Sequence, residues 1–300
     1  GRLNPPGPKM FKSSDVPLEK IELPEGFKIE VYAEGVKILS EGEILEYHPE
    51  LLSDWASKSR PEQLFTLGPF LVMDALQNAD EDDWVFYVDA DVRIFTELSG
   101  NLNLENKDLV LVPHHHQWWN KKRLKKYGKF NVGIVGFKGS DLGRKSASVW
   151  ARLVKQWCYD RVDGDKYADQ KYLESLYELV AAEGKVEIAS KNYHLAPWNS
   201  SFSSVSYDDG VLKTSKGQLI HSFHFQGLRK NGDRWNLGHL PYLGLATRSI
   251  REYIYRPYVR RIEEIETILE ITSTKVIRRT RLQSLYHWVG ALFGQRIKGK

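Results

Sequence analysis

Trp84-Val85-Phe86-Tyr87-Val88-Asp89-Ala90-Asp91 is the stretch of sequence that most constrains the fold. A continuous apolar run with acids on both sides is typical of a strand buried on both faces of a sheet. In the extended segment after it, residues i and i+2 project to the same side, so the carboxylates of Asp89 and Asp91 converge. Converging carboxylates repel unless a cation lies between them, and such oxygen ligands suit Mg²⁺ or Mn²⁺. A solvated turn is the alternative that this spacing leaves open.

Strand and helix patterns alternate on either side of this run. We predict further strands at 27–31, 108–112, 130–137, 185–189 and 219–225. We predict helices at 69–79, with Pro69 in the first turn, after Ser140, at 168–182 and at 242–261, the last broken near Pro257. This alternation indicates a three-layer α/β domain with a parallel or mixed sheet, where ligands bind beyond the carboxyl ends of the strands. Gly133 and Gly136 within a strand predict close approach of another backbone or a ligand.

The composition is that of a soluble globular chain. The 300 residues are 41% hydrophobic and 27% charged, and the single Cys158 excludes an internal disulfide. The sequence contains no apolar run of about 18 residues and no leader-like segment, so we expect a chain that does not cross a membrane. We therefore predict a cytoplasmic protein, with a peripheral position on the inner face of a membrane as an extension of that prediction.

Positive charge is concentrated near the end of the chain. Residues 271–300 contain seven basic residues and no acid, although the net charge of the whole chain is only +4. An apolar stripe at helical spacing accompanies them, formed by Leu282, Leu285, Tyr286, Val289, Leu292 and Phe293. Such a helix suits an anionic membrane surface contacted through 276–300, and packing on its own domain is the alternative. The rest of the chain is acidic and carries no nucleic-acid motif, so we expect no nucleic-acid partner.

A second group of residues could complete a metal site. His224, Gly227 and Lys230 supply a metal-capable imidazole, a glycine that allows close backbone approach, and a cation that can meet a phosphate. A histidine at a strand end is also often structural. Together with Asp89 and Asp91, these residues are the parts needed to hold a metal-bound diphosphate.

Five short motifs, in order along residues 60–235, resemble those of the GT-A glycosyltransferases. The resemblance is to the family 8-type group that contains glycogenin and bacterial galactosyltransferases. The motifs are Asp89-Ala90-Asp91 (D-x-D), Phe130-Asn131-Val132-Gly133 (F-N-x-G), Asp169-Gln170 (D-Q), Pro197-Trp198-Asn199 (W-N), and His224, Gly227 and Lys230 (H-x-x-G-x-x-K). Each motif is modest alone, whereas five in order are specific.

The resemblance implies a GT-A (Rossmann-like) mixed sheet flanked by helices, with a C-terminal helical extension. It divides the chain into an irregular lead-in at 1–26, with further residues expected upstream, a catalytic domain at 27–245 and an amphipathic basic helical region at 246–300. It implies transfer of a sugar, with retention, from a nucleotide-diphosphate donor to a glycan, glycolipid or protein acceptor. It also implies Mn²⁺ or Mg²⁺ as the cofactor, held by Asp89, Asp91 and His224.

The same resemblance assigns roles to individual residues. It implies donor contacts at Asp89, Asn131, Gly133, Gly227 and Lys230, with Arg60 in place of a basic residue expected on the helix before the D-x-D motif. It implies that Asn131, Asp169 and Gln170 surround the transferring sugar as catalytic residues.

Two other functions remain open from the residues themselves. A metal-dependent phosphoesterase or nucleotidyltransferase would use the same carboxylates and histidine, and an inactive glycan-binding module would suit the nine tryptophans. An inverting transferase would need a carboxylate as general base, for which Asp163, Asp165 and Asp169 are candidates. The loop that holds His114-His115-His116 and Trp118-Trp119 either faces an acceptor or is plain surface.

Overall fold

A computed structural model of the protein describes residues 39–208, 210–268 and 294–299. The helices are α1 (Glu41–Tyr47), α2 (Leu52–Trp55), α3 (Arg60–Gln77), α4 (Lys122–Tyr127), α5 (Asp141–Gln156), α6 (Leu173–Ala181), α7 (Arg248–Ile250) and α8 (Arg256–Ile268). The strands are β1 (Trp84–Val88), β2 (Val92–Ile94), β3 (Leu109–Pro113), β4 (Phe130–Lys138), β5 (Val186–Ile188), β6 (His194–Leu195), β7 (Val205–Asp208), β8 (Val211–Thr214), β9 (Ser222–His224), β10 (Arg229–Asn231), β11 (Arg234–Asn236) and β12 (Arg296–Lys298). The predicted lead-in at 1–26, the strand at 27–31 and the apolar stripe at 282–293 lie outside the described residues.

The central sheet is mixed, as the sequence predicted. Its strand order is β1-β4-β3-β5, and β4 runs antiparallel to both β1 and β3, while β3 pairs with β5 in parallel. Two three-stranded sheets, β2-β9-β6 and β10-β11-β12, and a β7-β8 hairpin complete the strands of the described ranges. The predicted α/β class is therefore confirmed.

Helices cover one face of the central sheet. Side chains of α3, α5 and α6 bury a core against it that includes Val72, Trp150 and Leu176. The opposite face packs on Tyr193, with partly buried Leu98 and Leu102. In the described ranges this second outer layer is thus made of loops and short strands, whereas the sequence predicted a mixed sheet flanked by helices.

Helix α3 begins nine residues earlier than the sequence predicted. Its N-terminus is fixed by a capping box, in which Ser59 caps the first turn and the Glu62 side chain accepts from the Ser59 backbone. Pro69 therefore lies inside the helix rather than in its first turn. The packing of α3 on β1 and α5 outweighs the hydrogen bond that a proline removes.

The C-terminal part of the described chain belongs to a second core. The helix predicted at 242–261 starts at Arg248. It is not broken near Pro257, because a π-helical segment, Arg251–Tyr255, joins α7 to α8 and the helix continues through the proline. Residues 296–298 form β12 rather than the predicted helix, and Ile297, which is 2% exposed, packs in this core. None of the helices in the described ranges has the length and hydropathy needed to span a bilayer.

Candidate metal centre and its cleft

Two strand pairings bring the predicted metal ligands together. Strand β1 ends at Val88, and the backbone N–H of the next residue, Asp89, donates to the Gly133 carbonyl at 3.0 Å. Strand β2 begins directly after Asp91 and pairs with β9 in a register that sets Val92 opposite His224. The sheet ladders therefore place a residue distant in sequence beside the D-x-D pair.

One oxygen or nitrogen atom from each of Asp89, Asp91 and His224 lies within 4.8 Å of the others. The His224 Nε2 is 2.9 Å from Oδ1 of Asp91 and 3.8 Å from Oδ2 of Asp89. Two carboxylates and an imidazole are a donor set that divalent cations accept. These three residues fit a metal ion, and the prediction that brings them together is confirmed at the level of a possible metal site.

The electrostatics of the two carboxylates differ. Burial raises the pKa of Asp89, against the opposing effects of His224 and of a hydrogen bond from the Tyr87 hydroxyl at 2.8 Å, and the nearby Asp91 charge adds to the rise. Burial also acts to raise the pKa of Asp91, but its hydrogen bond to His224 and the His224 charge outweigh burial and lower that pKa. The Asp91 charge thus disfavours the charged form of Asp89, which a bound cation would relieve.

An amide network supports the imidazole from behind. The Oδ1 of Asn131 lies 3.3 Å from Nδ1 of His224 and accepts from the backbone N–H of Gly133 at 3.0 Å. The Nδ2 of Asn131 donates to Oε1 of Gln170 at 3.2 Å, and Gln170 in turn donates to the Tyr127 carbonyl at 2.8 Å. Asn131 is therefore in direct contact with the metal candidate, and Gln170 is joined to it through Asn131.

Asp169 is the most isolated charge of the site. Its side chain is buried, and its Oδ2 has no hydrogen-bond partner within the part of the chain that the structure describes. Burial, followed by the charge of Asp89, raises its pKa well above the usual range. A buried polar atom without a partner is costly, so a polar group of a ligand is the natural partner for this oxygen.

These residues line one cleft of about 820 Å³. Its walls include the metal candidate, Asn131, Asp169 and Gln170 on one side and apolar residues of α1 and α3 on another, among them Ile44 and Leu67. A cleft of this volume is within the range of sites that bind small organic molecules. The paired strands β1 and β4 contribute Tyr87, Val88, Asn131 and Val132 to its lining.

Three other predicted site residues do not belong to the metal candidate. Arg60, the first residue of α3, lines the cleft and forms an ion pair with Glu41. Gly227 has φ +78°, which favours glycine, and packs on Gly238 rather than on the cleft. Lys230 forms an ion pair with Glu266 of α8 and does not line the cleft, so its contact with a diphosphate stays a prediction.

The structure adds cleft residues that the motif analysis left without a firm role. His114 and His116 line the cleft with stacked rings 4.9 Å apart, and Tyr242 lies beside His116. Burial, together with the charge of the neighbouring His116, lowers the pKa of His114 to about 3, and burial with the Arg123 charge lowers that of His116 to about 4. The sequence left open whether this loop faces an acceptor or is plain surface. The structure shows that His114 and His116 line the cleft.

Tyr87 was also missed as a site residue. It stands two positions before Asp89 in an extended segment, so the period-two pattern placed both on the same side. Its aromatic type suggested core packing alone. The strand pattern contained the signal, but only the structure shows the hydroxyl contact to the carboxylate.

Comparison with known proteins gives limited similarity. The sequence matches no profile of a known protein family. The uncharacterized protein YfnF of Bacillus subtilis is 23% identical over 181 residues, which are 58% of this chain and 59% of YfnF, so the chain spans less than two thirds of that relative. The galactosyltransferase LgtC, solved in complex with donor and acceptor sugar analogs, has a TM-score of 0.37 and 18% identity over 58% of this chain and 63% of LgtC. A TM-score at that level does not establish a common fold.

Proposed function

We propose that the protein is a metal-dependent glycosyltransferase that moves a sugar from a nucleotide-diphosphate donor to a glycan or glycolipid acceptor. The observation that carries the proposal is the meeting of Asp89, Asp91 and His224 at the wall of a cleft large enough for such a donor. The ordered motifs of the sequence support it, because each of the five contributes at least one side chain to this same cleft.

The cofactor we propose is Mn²⁺ or Mg²⁺, held by Asp89, Asp91 and His224. A divalent cation bound there supplies Lewis-acid stabilisation of the negative charge on the departing diphosphate. The protein's own part is to hold the ligands in place before binding: the Tyr87 hydroxyl fixes Asp89, and Asn131 fixes the imidazole. Ligands oriented by such contacts need little rearrangement when the cation arrives.

We assign positioning of the sugar to Asn131, Asp169 and Gln170. The Oδ2 of Asp169, which has no partner among the described residues, is suited to hydrogen-bond a sugar hydroxyl, and the amides of Asn131 and Gln170 offer donors and acceptors at the same wall. Orientation of this kind is the main contribution that such groups make to the rate.

Retention of configuration is our proposal for the stereochemical course. Among the described residues, the carboxylates that line the cleft are Glu41, Asp89, Asp91 and Asp169. Glu41 is paired with Arg60, two others are metal-ligand candidates, and Asp169 is assigned to positioning of the sugar. Asp163 and Asp165, considered from the sequence as bases of an inverting enzyme, do not line the cleft.

Incubation with a panel of nucleotide sugars and Mn²⁺ tests the proposal. We expect release of a nucleoside diphosphate that stops on chelation and is lost in Asp91→Asn. Asp82→Asn is the matched control, because that aspartate is 94% exposed at its side chain and pairs with Lys138 on the surface. Release of a monophosphate or orthophosphate would instead indicate a phosphoesterase or nucleotidyltransferase. Glycan binding that survives chelation, without stabilisation by nucleotide plus metal, would indicate a binding module.

A further inference from the structure

An exposed apolar cluster lies beside the cleft, outside the residues assigned to catalysis. Trp118 is 76% exposed, Leu243 is 70% exposed and Phe202 is 56% exposed. Single exposed apolar side chains are normal on protein surfaces, but a contiguous group of large ones marks an interaction site. We call these three residues, with Trp119 and the basic residues at 121–126, the aromatic–basic surface.

Direct contacts join the loops that carry this surface. The rings of Trp118 and Trp119 are 5.6 Å apart, and the Trp119 ring is 6.1 Å from that of Phe202. The Trp119 Nε1 donates to the Tyr242 carbonyl at 3.1 Å, directly before Leu243 in the chain. The exposed apolar side chains therefore belong to one assembled surface rather than to three independent loops.

Two of these side chains stand on unfavourable backbone. Phe202 has φ +63° and Leu243 has φ +53°, in the left-handed region that residues with a Cβ rarely adopt. Asparagine or glycine would suit both positions better. Large apolar groups kept in solvent on strained backbone are expected where the exposed group itself has a role.

The same surface is strongly basic. Residues 121–126 contain Lys121, Lys122, Arg123, Lys125 and Lys126 and no acid. Among the residues that the structure describes, none of these five cations forms an ion pair with a carboxylate. The charges of Lys121, Lys122 and Lys125 are therefore available to an anionic partner.

The aromatic–basic surface adjoins the mouth of the cleft. Arg123 donates to the Pro241 carbonyl at 2.7 Å, and its guanidinium lies 4.7 Å from the centre of the Tyr242 ring. Arg123 and Tyr242 both line the cleft. A partner bound to this surface is thus held next to the entrance of the candidate active site.

We propose that this surface docks the protein on an anionic lipid bilayer. Trp118, Phe202 and Leu243 enter the headgroup–acyl boundary, while the lysines meet the lipid phosphates. An anionic glycan would explain the rings and the cations, but it gives no reason to expose Leu243, which has no ring face to stack on a sugar. This contact is separate from the one predicted for 276–300, and it does not depend on the proposed glycosyltransferase activity.

Flotation with vesicles of phosphatidylcholine, with and without phosphatidylglycerol, tests the proposal at low and moderate salt. The apolar variant combines Trp118→Ser, Phe202→Asn and Leu243→Asn, and the charge variant combines Lys121→Gln, Lys122→Gln and Lys125→Gln. We expect wild-type binding to require phosphatidylglycerol and to weaken about fivefold for each cation removed, and therefore about 100-fold for the charge variant. The apolar variant should lose binding while its melting temperature stays equal or rises, because asparagine tolerates a positive φ.

Matched controls come from other parts of the surface. Tyr207→Ser removes an aromatic side chain that is 61% exposed on the β7-β8 hairpin, and Lys145→Gln with Lys155→Gln removes two exposed cations from α5. Both controls should bind vesicles as the wild type does.

Unchanged vesicle binding by the apolar and charge variants would overturn the proposal, because another part of the chain would then contact the membrane. Retention on an acidic polysaccharide, lost in these variants while the wild type ignores vesicles, would overturn it in favour of a glycan surface. Self-association that the apolar variant abolishes, again without vesicle binding, would overturn it in favour of a second copy. None of these readouts requires catalysis, so failure here is distinguishable from failure of the proposed function.

Discussion

Replacing Gly133 by alanine should weaken divalent-cation binding about 10–100-fold, the usual effect of disturbing a group that orients a metal ligand. A Cβ built on Gly133 would lie 2.6 Å from Nδ1 of His224 and 2.7 Å from Oδ1 of Asn131. The imidazole cannot move away easily, because it packs against two other rings. Its ring centroid is 5.4 Å from that of Trp198 and 5.6 Å from that of His194. The added methyl group must therefore displace the nitrogen ligand or the amide that supports it.

Gly136→Ala is the matched control on the same strand. A Cβ at Gly136 would lie 2.6 Å from Cε1 of Phe86, so the collision is as severe but falls on a ring outside the metal candidate. Both variants should lower the free energy of unfolding by about 1–3 kcal/mol, the usual effect of overpacking. Isothermal titration with Mn²⁺ should find weaker binding in Gly133→Ala only. Equal dissociation constants for the two variants would refute the reasoning.

Three further predictions concern pH, the second core and the Lys230 ion pair. Burial lowers the pKa of His239 to about 3. Between about pH 6.5 and pH 3 the unfolded chain therefore binds a proton that the folded chain does not, and the free energy of unfolding decreases as the pH decreases. This should amount to about 2 kcal/mol from pH 7 to pH 5, and urea unfolding of His239→Gln should show a shallower pH slope; an unchanged slope would contradict it. Ile297→Ala should cost about 2–5 kcal/mol by the same measurement, whereas a cost near zero would show that β12 is not part of the core. Glu266→Gln should raise nucleoside-diphosphate affinity up to about fivefold if Lys230 can turn to the ligand, and unchanged affinity in a titration would speak against that contact.

The sequence was informative wherever the deciding contacts are local. The run ending at Val88 and the period-two placement of Asp89 and Asp91 depend on neighbouring residues alone, and both matched the structure. The early start of α3 was also readable, because Ser59 and Glu62 have the spacing of a capping box. Pro69 outweighed that signal in the prediction, although packing tolerates a proline inside this helix.

Contacts between distant segments were less accessible from the sequence. The partner of Lys230 on β10 is Glu266, 36 residues later on α8, and no local pattern pairs them. Strand β12 is recognised only through its pairing with β11, because the basic composition and apolar spacing of this part of the chain predicted an amphipathic helical region. Gly133 and Gly136 were expected to admit a backbone or a ligand, whereas the side chains of His224 and Phe86 take that space. Such packing depends on three-dimensional neighbours and not on sequence spacing.

The central claim is that Asp89, Asp91 and His224 hold one cation that contacts a diphosphate in the cleft. Anomalous diffraction from crystals grown with Mn²⁺ and a nucleoside diphosphate measures this directly. We predict one anomalous peak bonded to a carboxylate oxygen of each aspartate, to Nε2 of His224 and to oxygens of the diphosphate. A peak away from these three side chains, or a diphosphate bound elsewhere on the protein, would contradict the claim.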